Sequence, residues 1–180
     1  MKRNIISALV LLAVMLVAAC NSTQSLQEYY IDNSENPNFI SLDVPTSILN
    51  LEESDLDETQ KEAYQSLRKL NLLAFKKTST NEAEYTAEKA KVSAILKDKN
   101  YKELMKLNSE FGKGVIKYLG EDDAIDEVVI YGSSDDKGFA LIRVLGNDMN
   151  PAHLMQLMQA IQSADYDEDA LGDIGKFLKG

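Results

Sequence analysis

Cys20 is the residue with the most specific chemistry in this chain. It is the only cysteine, and Val17-Ala18-Ala19 in front of it place small side chains at a cleavage point. Upstream, Lys2 and Arg3 precede an apolar run over residues 5–17, the pattern of a secretory leader that ends in a lipobox. The run is shorter than the roughly 20 residues needed to cross a hydrocarbon core, so it predicts export rather than spanning. A thiol at that point can carry a thioether-linked diacylglycerol, and cleavage would make Cys20 the new amino terminus. Buried acyl chains contribute about 0.8 kcal/mol per methylene, and a diacyl or triacyl cysteine supplies the two or three chains that make attachment lasting. Cys20 is therefore the expected lipid-attachment residue.

Other reactive combinations are incomplete. His153 is the only histidine, and with no further thiol it has no partner for a nucleophile–base pair or a zinc site. It reads as a surface or helix-start residue. The hydrolase elbow Gly-x-Ser-x-Gly is absent, and Gly132-Ser133-Ser134 reads as a hairpin turn. Asp165, Asp167 and Asp169 occupy positions 1, 3 and 5 of an EF-hand loop, but Ala170 stands where the turn needs glycine and Lys176 where a bidentate glutamate belongs. That stretch reads as a solvated acidic tail. Glu121-Asp122-Asp123, Asp126-Glu127 and Asp135-Asp136 read as a charged hairpin rim, whose sharper use would be docking a basic partner. No glycine-rich phosphate loop and no aromatic–basic stripe is present. No catalytic residue, metal ligand or cofactor is assigned.

The elements that must position these residues follow from charge and period. Lys+Arg number 19 against Asp+Glu 29, a net charge of −10, and removing Lys2 and Arg3 with the leader takes it to −12. So acidic a surface excludes nucleic acid and direct adhesion to anionic headgroups. Residues 21–27 are polar and read as a flexible spacer. Tyr29, Tyr30 and Ile31 are left to dock on the domain or lie on the bilayer, and Asn36-Pro37-Asn38 is turn chemistry. Residues 39–44 alternate as a strand that Pro45 stops, while 46–51 is ambiguous. Ala63, Leu67 and Leu70 predict a helix over 57–70, with Asp55 and Glu58 as its cap. The run 72–75 reads as a buried strand. A helix with Ser79 and Glu82 in capping-box spacing follows to about 97, its alanines at 83, 87, 90 and 94 forming a seam.

From Tyr101 the period becomes two, and 101–107, 113–119, 127–131 and 138–145 read as strands joined by short turns. The last is apolar on both faces except Arg143, which places it in the sheet interior. Asn150-Pro151 caps a final helix with the stripe Leu154, Leu157, Met158, Ile161. The expected architecture is α+β, an antiparallel-rich sheet of about six strands in the order β-α-β-α-β-β-β-β-α with helices mainly on one face. The expected organisation is a cleaved leader over 1–19, lipidated Cys20 and spacer over 20–37, one domain over 38–163, and an acidic tail over 164–180 with room for a short helix.

Residues 38–51 (NFISLDVPTSILNL), 70–76 (LNLLAFK), 101–107 (YKELMKL) and above all 124–161 (AIDEVVIYGSSDDKGFALIRVLGNDMNPAHLMQLMQAI) resemble the lipoproteins of domain-of-unknown-function family 4252, typical of Bacteroidota. The likeness spans about 39–161, and its motifs are a strand, a glycine turn and a capped helix. It implies a Gram-negative envelope lipoprotein with an α+β domain, and carries no active-site residue across. Surface-exported lipoproteins of that phylum often have an acidic run after the lipidated cysteine, whereas Asn21-Ser22-Thr23-Gln24 follows Cys20, which points to the periplasmic face of the outer membrane.

Two functions from different classes fit. The first is a membrane-tethered, non-enzymatic binding, assembly or regulatory module with an envelope protein as partner. The alternative is a carboxylate-dependent hydrolase acting on an envelope substrate. Acidic turns lying thirty-odd ångströms apart would count against the hydrolase; facing carboxylates in an apolar pocket would support it. Partner and oligomeric state are open.

Overall fold

The computed structural model of the chain describes residues 24–46, 56–109 and 112–163. In chain order the elements are α1 (Leu26–Asn33), β1 (Phe39–Pro45), α2 (Glu58–Ser66), β2 (Leu67–Lys76), α3 (Glu82–Ile95), β3 (Lys102–Ser109), β4 (Gly112–Gly120), β5 (Ile125–Ser134), β6 (Gly138–Met149) and α4 (Pro151–Ser163). The six strands form one sheet in the order β1-β2-β6-β5-β4-β3. All neighbouring pairs are antiparallel. This is the α+β class and strand succession that the alternating periods predict. The chain leaves β2 through α3, enters the far edge at β3 and meanders back until β6 closes on β2. Residues 71–75 of β2 are all buried, and β6 buries Phe139, Leu141 and Arg143 on one side, so both strands belong in the interior.

Alternation then sorts the side chains into two cores. On the first face Phe39, Leu73, Phe75, Phe139 and Leu141 meet Leu26, Tyr29 and Tyr30 of α1 and Tyr85, Val92 and Ile95 of α3. Phe75 and Phe139 stack at 5.5 Å, and Phe39 stands edge-on to Phe75 at 5.0 Å, geometries that add to area burial. On the second face Ile116, Ile125, Val128 and Met149 gather with Ile130, Val144 and Leu154 of α4. Leu56, Ala63 and Leu157 join α2 to α4. The helices thus divide between the faces rather than lying mainly on one, because the central strands carry apolar side chains on both sides and each side requires cover.

Further expectations are corrected. The segment counted as spacer holds α1, capped by Ser25 and Glu28 in a reciprocal box, with Leu26 at 1% and Tyr29 at 0% exposure. The domain therefore starts near residue 25, not 38. The helix expected over 57–70 stops at Ser66, capped by Asp57 and Gln60. Leu70 instead pairs with Val44 and Val144 in the sheet, so its helical spacing from Ala63 was coincidental. On α3 the alanines 83, 87, 90 and 94 face solvent, while Tyr85, Glu88, Val92 and Ile95 point inward. Larger side chains claimed the buried face, and alanine serves there as a helix former. The N-cap of α3 is Asn81, whose side chain accepts from Thr78 N at 2.7 Å and donates to Lys76 O at 3.0 Å. Gly132 lies within β5 and the turn is 135–137. The ambiguous 46–51 stretch beyond Thr46 and the tail over 164–180 lie outside the described residues.

Gly138 opens β6 with φ +123, and a Cβ there would run into the carbonyl oxygen of Phe75. Gly138→Ala is expected to cost at least about 2 kcal/mol through combined backbone strain and displacement of β2. Chemical denaturation would check this, and a loss under 0.5 kcal/mol would refute the assigned turn geometry.

Candidate functional site

One row of polar side chains interrupts the first core. Register sets Asp43 opposite Asn71 and Asn71 opposite Arg143, and Glu127 sits diagonal to Arg143, so four consecutive strands each contribute one residue to the same face. Arg143 and Glu127 are buried, with side chains 6% and 8% exposed. A buried charge is tolerated only when paired and hydrogen-bonded, and this one is. Arg143 Nε donates to Glu127 Oε1 at 2.9 Å and Nη2 to Oε2 at 2.7 Å, a two-point fork. Its Nη1 donates to Gln27 Oε1 at 2.6 Å, and Cζ lies 5.3 Å from the centroid of the Tyr30 ring. The Tyr30 hydroxyl lies 2.8 Å from Leu141 O and 3.2 Å from Asn71 O. The row therefore clamps α1 onto the sheet.

Electrostatics follow the geometry. Burial works against the Arg143 charge, but the hydrogen bonds and charge of Glu127 outweigh it and raise the guanidinium pKa. Burial pushes the Tyr101 phenol up to about 12, with the Glu127 carboxylate the next contributor. At the outer end the Lys69 ammonium holds the Asp43 carboxyl below its usual range, helped by the Asn71 amide, while partial burial opposes them. A cleft of about 400 Å³ opens over this row, lined by Gln27, Tyr30, Asp43, Lys69, Asn71 and Arg143 among others. It holds a cation and an acid already spent on each other. The hydrogen bonds that tie Arg143 to Glu127 and Gln27 order the structure around α1.

The second face holds a different concavity. Between α4 and the sheet lies a cavity of about 260 Å³ lined, among the described residues, by thirteen apolar side chains, Leu104, Ile116, Ile130, Ile142, Leu154 and Met155 among them. It is bounded by the strands on one side and by α4, which also packs on α2, on the other. Sequence reasoning found the apolar stripe of α4 but not the space beneath it, since periodicity reports which face is apolar and not how far it stands from its neighbour.

Among the described residues, those singled out by sequence are not brought together. Cys20 and the Asp165, Asp167, Asp169 set lie outside the described residues. His153 begins α4 as expected, with Asn150 Oδ1 accepting from its amide at 3.3 Å and Nδ1 3.4 Å from Glu62 Oε2. Asp122 accepts from Lys102 at 2.6 Å and from the Tyr118 hydroxyl at 3.0 Å, and Asp135 pairs with Lys89 at 3.0 Å. These two acidic turns flank the ten residues of β5, which at about 3.3 Å per residue puts roughly 30 Å between them. Glu127 is not a rim residue: it shares the face of Val129, and the core forces it onto Arg143. Among the described residues no group of three or more His, Cys, Asp or Glu is placed to hold a metal ion. No helix among them is long and apolar enough to cross a membrane.

A family model described as Domain of unknown function (DUF4252) matches residues 29–157. No curated protein and no solved structure matches the chain.

Proposed function

The chain belongs to the DUF4252 family, and from that premise we propose that it is an envelope lipoprotein, tethered through acylated Cys20 to the periplasmic face of the outer membrane, that binds a partner rather than transforming a substrate. The observation that carries the binding half of this reading is the cavity under α4: an open concavity lined by apolar side chains among the described residues recognises shape and hydrophobic surface. The roughly 30 Å between the acidic turns weighs against two carboxylates acting across a cleft, which an inverting or retaining hydrolase needs within about 10 Å.

Because α1 belongs to the domain, only residues 21–25 separate Cys20 from it, a leash of at most about 18 Å. A tether this short raises the effective concentration of the domain toward anything on or in the membrane surface. Cys20→Ala is expected to move the chain from the detergent phase to the aqueous phase on fractionation; persistence in the detergent phase would refute the tether. Crosslinking in intact envelopes followed by mass spectrometry tests the partner, and turnover of an envelope substrate by the purified chain would reverse the choice of binding over catalysis.

A further inference from the structure

We propose that the cavity under α4 is a binding site for the alkyl chain of an anionic single-chain amphiphile, a fatty acid in chemical class, with its tail between α4 and the sheet and its carboxylate at Lys102; this rests on the binding reading above and names the ligand.

Three observations choose this occupant. The first is the wall. With thirteen apolar side chains and no polar one among the described residues, water inside would lack hydrogen-bond partners there, and cavities of that kind stay dry and accept apolar guests. A dry cavity of about 150 Å³ already holds a benzene, and about 260 Å³ is available here. Ile130, Ile142 and Val144, on the adjacent strands β5 and β6, are only half-buried by the described residues. Covering them with methylenes contributes about 25 cal/mol per Å² removed from water.

The second is the mouth. Leu104 lines the cavity and is 40% exposed, and Met105 and Leu107 beside it on edge strand β3 are each 38% exposed. The apolar surface therefore continues outward from the cavity along one strand. Leu104 is the extra residue of a bulge, since pairing with β4 shifts between Glu103 and Met105, and a bulge re-aims side chains at a strand edge. On the opposite wall Leu154 and Met155 supply a helix face whose thioether adapts to irregular guests.

The third is charge. Lys102 lies two residues from Leu104, pairs in register with Tyr118, and sets its ammonium 5.6 Å from the centroid of that ring. Tyr118 packs against the same cluster that floors the cavity. The Lys102 side chain is 42% exposed and its ammonium is held by Asp122 at 2.6 Å, a surface pair that an incoming carboxylate can replace at little cost. With Asp122 as its ion-pair partner and Glu121 acting on it as well, Lys102 offers its cation at the end of the exposed apolar strand once a carboxylate displaces Asp122, which suits an amphiphile with one anionic end.

The test uses the full chain in its own membranes with a photoactivatable fatty acid bearing a diazirine at mid-chain, followed by peptide mapping. Labelling is expected to concentrate in peptides containing Leu104, Ile116–Ile130 and Leu154–Leu157, and to fall at least five-fold in Ile142→Phe, which fills the cavity while keeping an apolar side chain. Lys102→Ala is expected to cut labelling by the acid at least two-fold and leave labelling by the uncharged alcohol of the same length unchanged. Circular dichroism melting of each variant separates a filled cavity from a lost fold. Label spread evenly along the chain, confined to the peptide that carries Cys20, or indifferent to Ile142→Phe in a folded variant overturns the proposal. So does finding those peptides crosslinked to a protein instead. Cys20→Ala does not alter the cavity, so loss of the tether and loss of fatty-acid labelling are separable results.

Discussion

Arg143→Met is expected to destabilise the domain by about 3–5 kcal/mol, because it leaves the Glu127 carboxylate buried without its cation. Gln27 loses its donor in the same step, so α1 rests on its apolar contacts and the hydroxyl hydrogen bonds of Tyr29 and Tyr30. Glu127→Met strands the guanidinium instead and should cost a similar amount. The double variant Arg143→Met with Glu127→Met is expected to recover most of the loss, since a buried ion pair and a well-packed apolar pair of like volume are often near equal. The pH dependence of the single variant follows with a definite sign. A carboxyl buried without a cation has its folded pKa raised above the unfolded value. Arg143→Met should therefore be least destabilised below about pH 4 and lose stability as pH rises through the raised pKa. Denaturation curves at pH 4 and pH 7 would check this, and a single variant within 1 kcal/mol of the parent at pH 7 would show that water reaches the pair.

The legibility of this chain depends on how local each signal is. The strands from β3 to β6 and the start of α4 show in the sequence because period two, glycine turns and an Asn-Pro cap act within a few residues. The division of helices between the faces was equally present in principle, since Leu72 and Leu73, or Leu141 and Ile142, point to opposite sides of a strand. The Glu127–Arg143 pair was missed for a different reason. Asp126 and Glu127 look like two halves of one acidic patch, yet alternation puts them on opposite faces, and only the hairpin register across 135–137 brings position 127 to position 143. A lone arginine in an otherwise apolar strand was the available signal, because a charge in the sheet interior has to have a partner. Leu67 and Leu70 failed in the opposite sense: their spacing from Ala63 satisfies a helix, and pairing across the sheet, Leu67 with Gly146 and Leu70 with Val44 and Val144, overrode it.

The same contest decides where the domain begins, and Tyr29→Ala measures it. If residues 21–37 were a leash, truncating Tyr29 would change stability by a few tenths of a kcal/mol. In the structure its ring is fully buried, stands edge-on to Phe39 at 6.2 Å, and its hydroxyl donates to Glu88 Oε2 at 2.9 Å. Glu88 is itself buried, with Lys91 Nζ at 2.6 Å as its other partner. Tyr29→Ala is therefore expected to cost about 3–5 kcal/mol, the range for deleting a large aromatic from a packed core. Tyr29→Phe keeps the ring and removes only the hydrogen bond to a carboxylate, for an expected loss of about 1.5–3 kcal/mol. The gap between the two variants separates packing from polarity at the α1–α3 contact. A loss below 1 kcal/mol for Tyr29→Ala would return α1 to the spacer and lengthen the reach of the domain from Cys20, and with it weaken the argument that a short tether holds this fold against the bilayer.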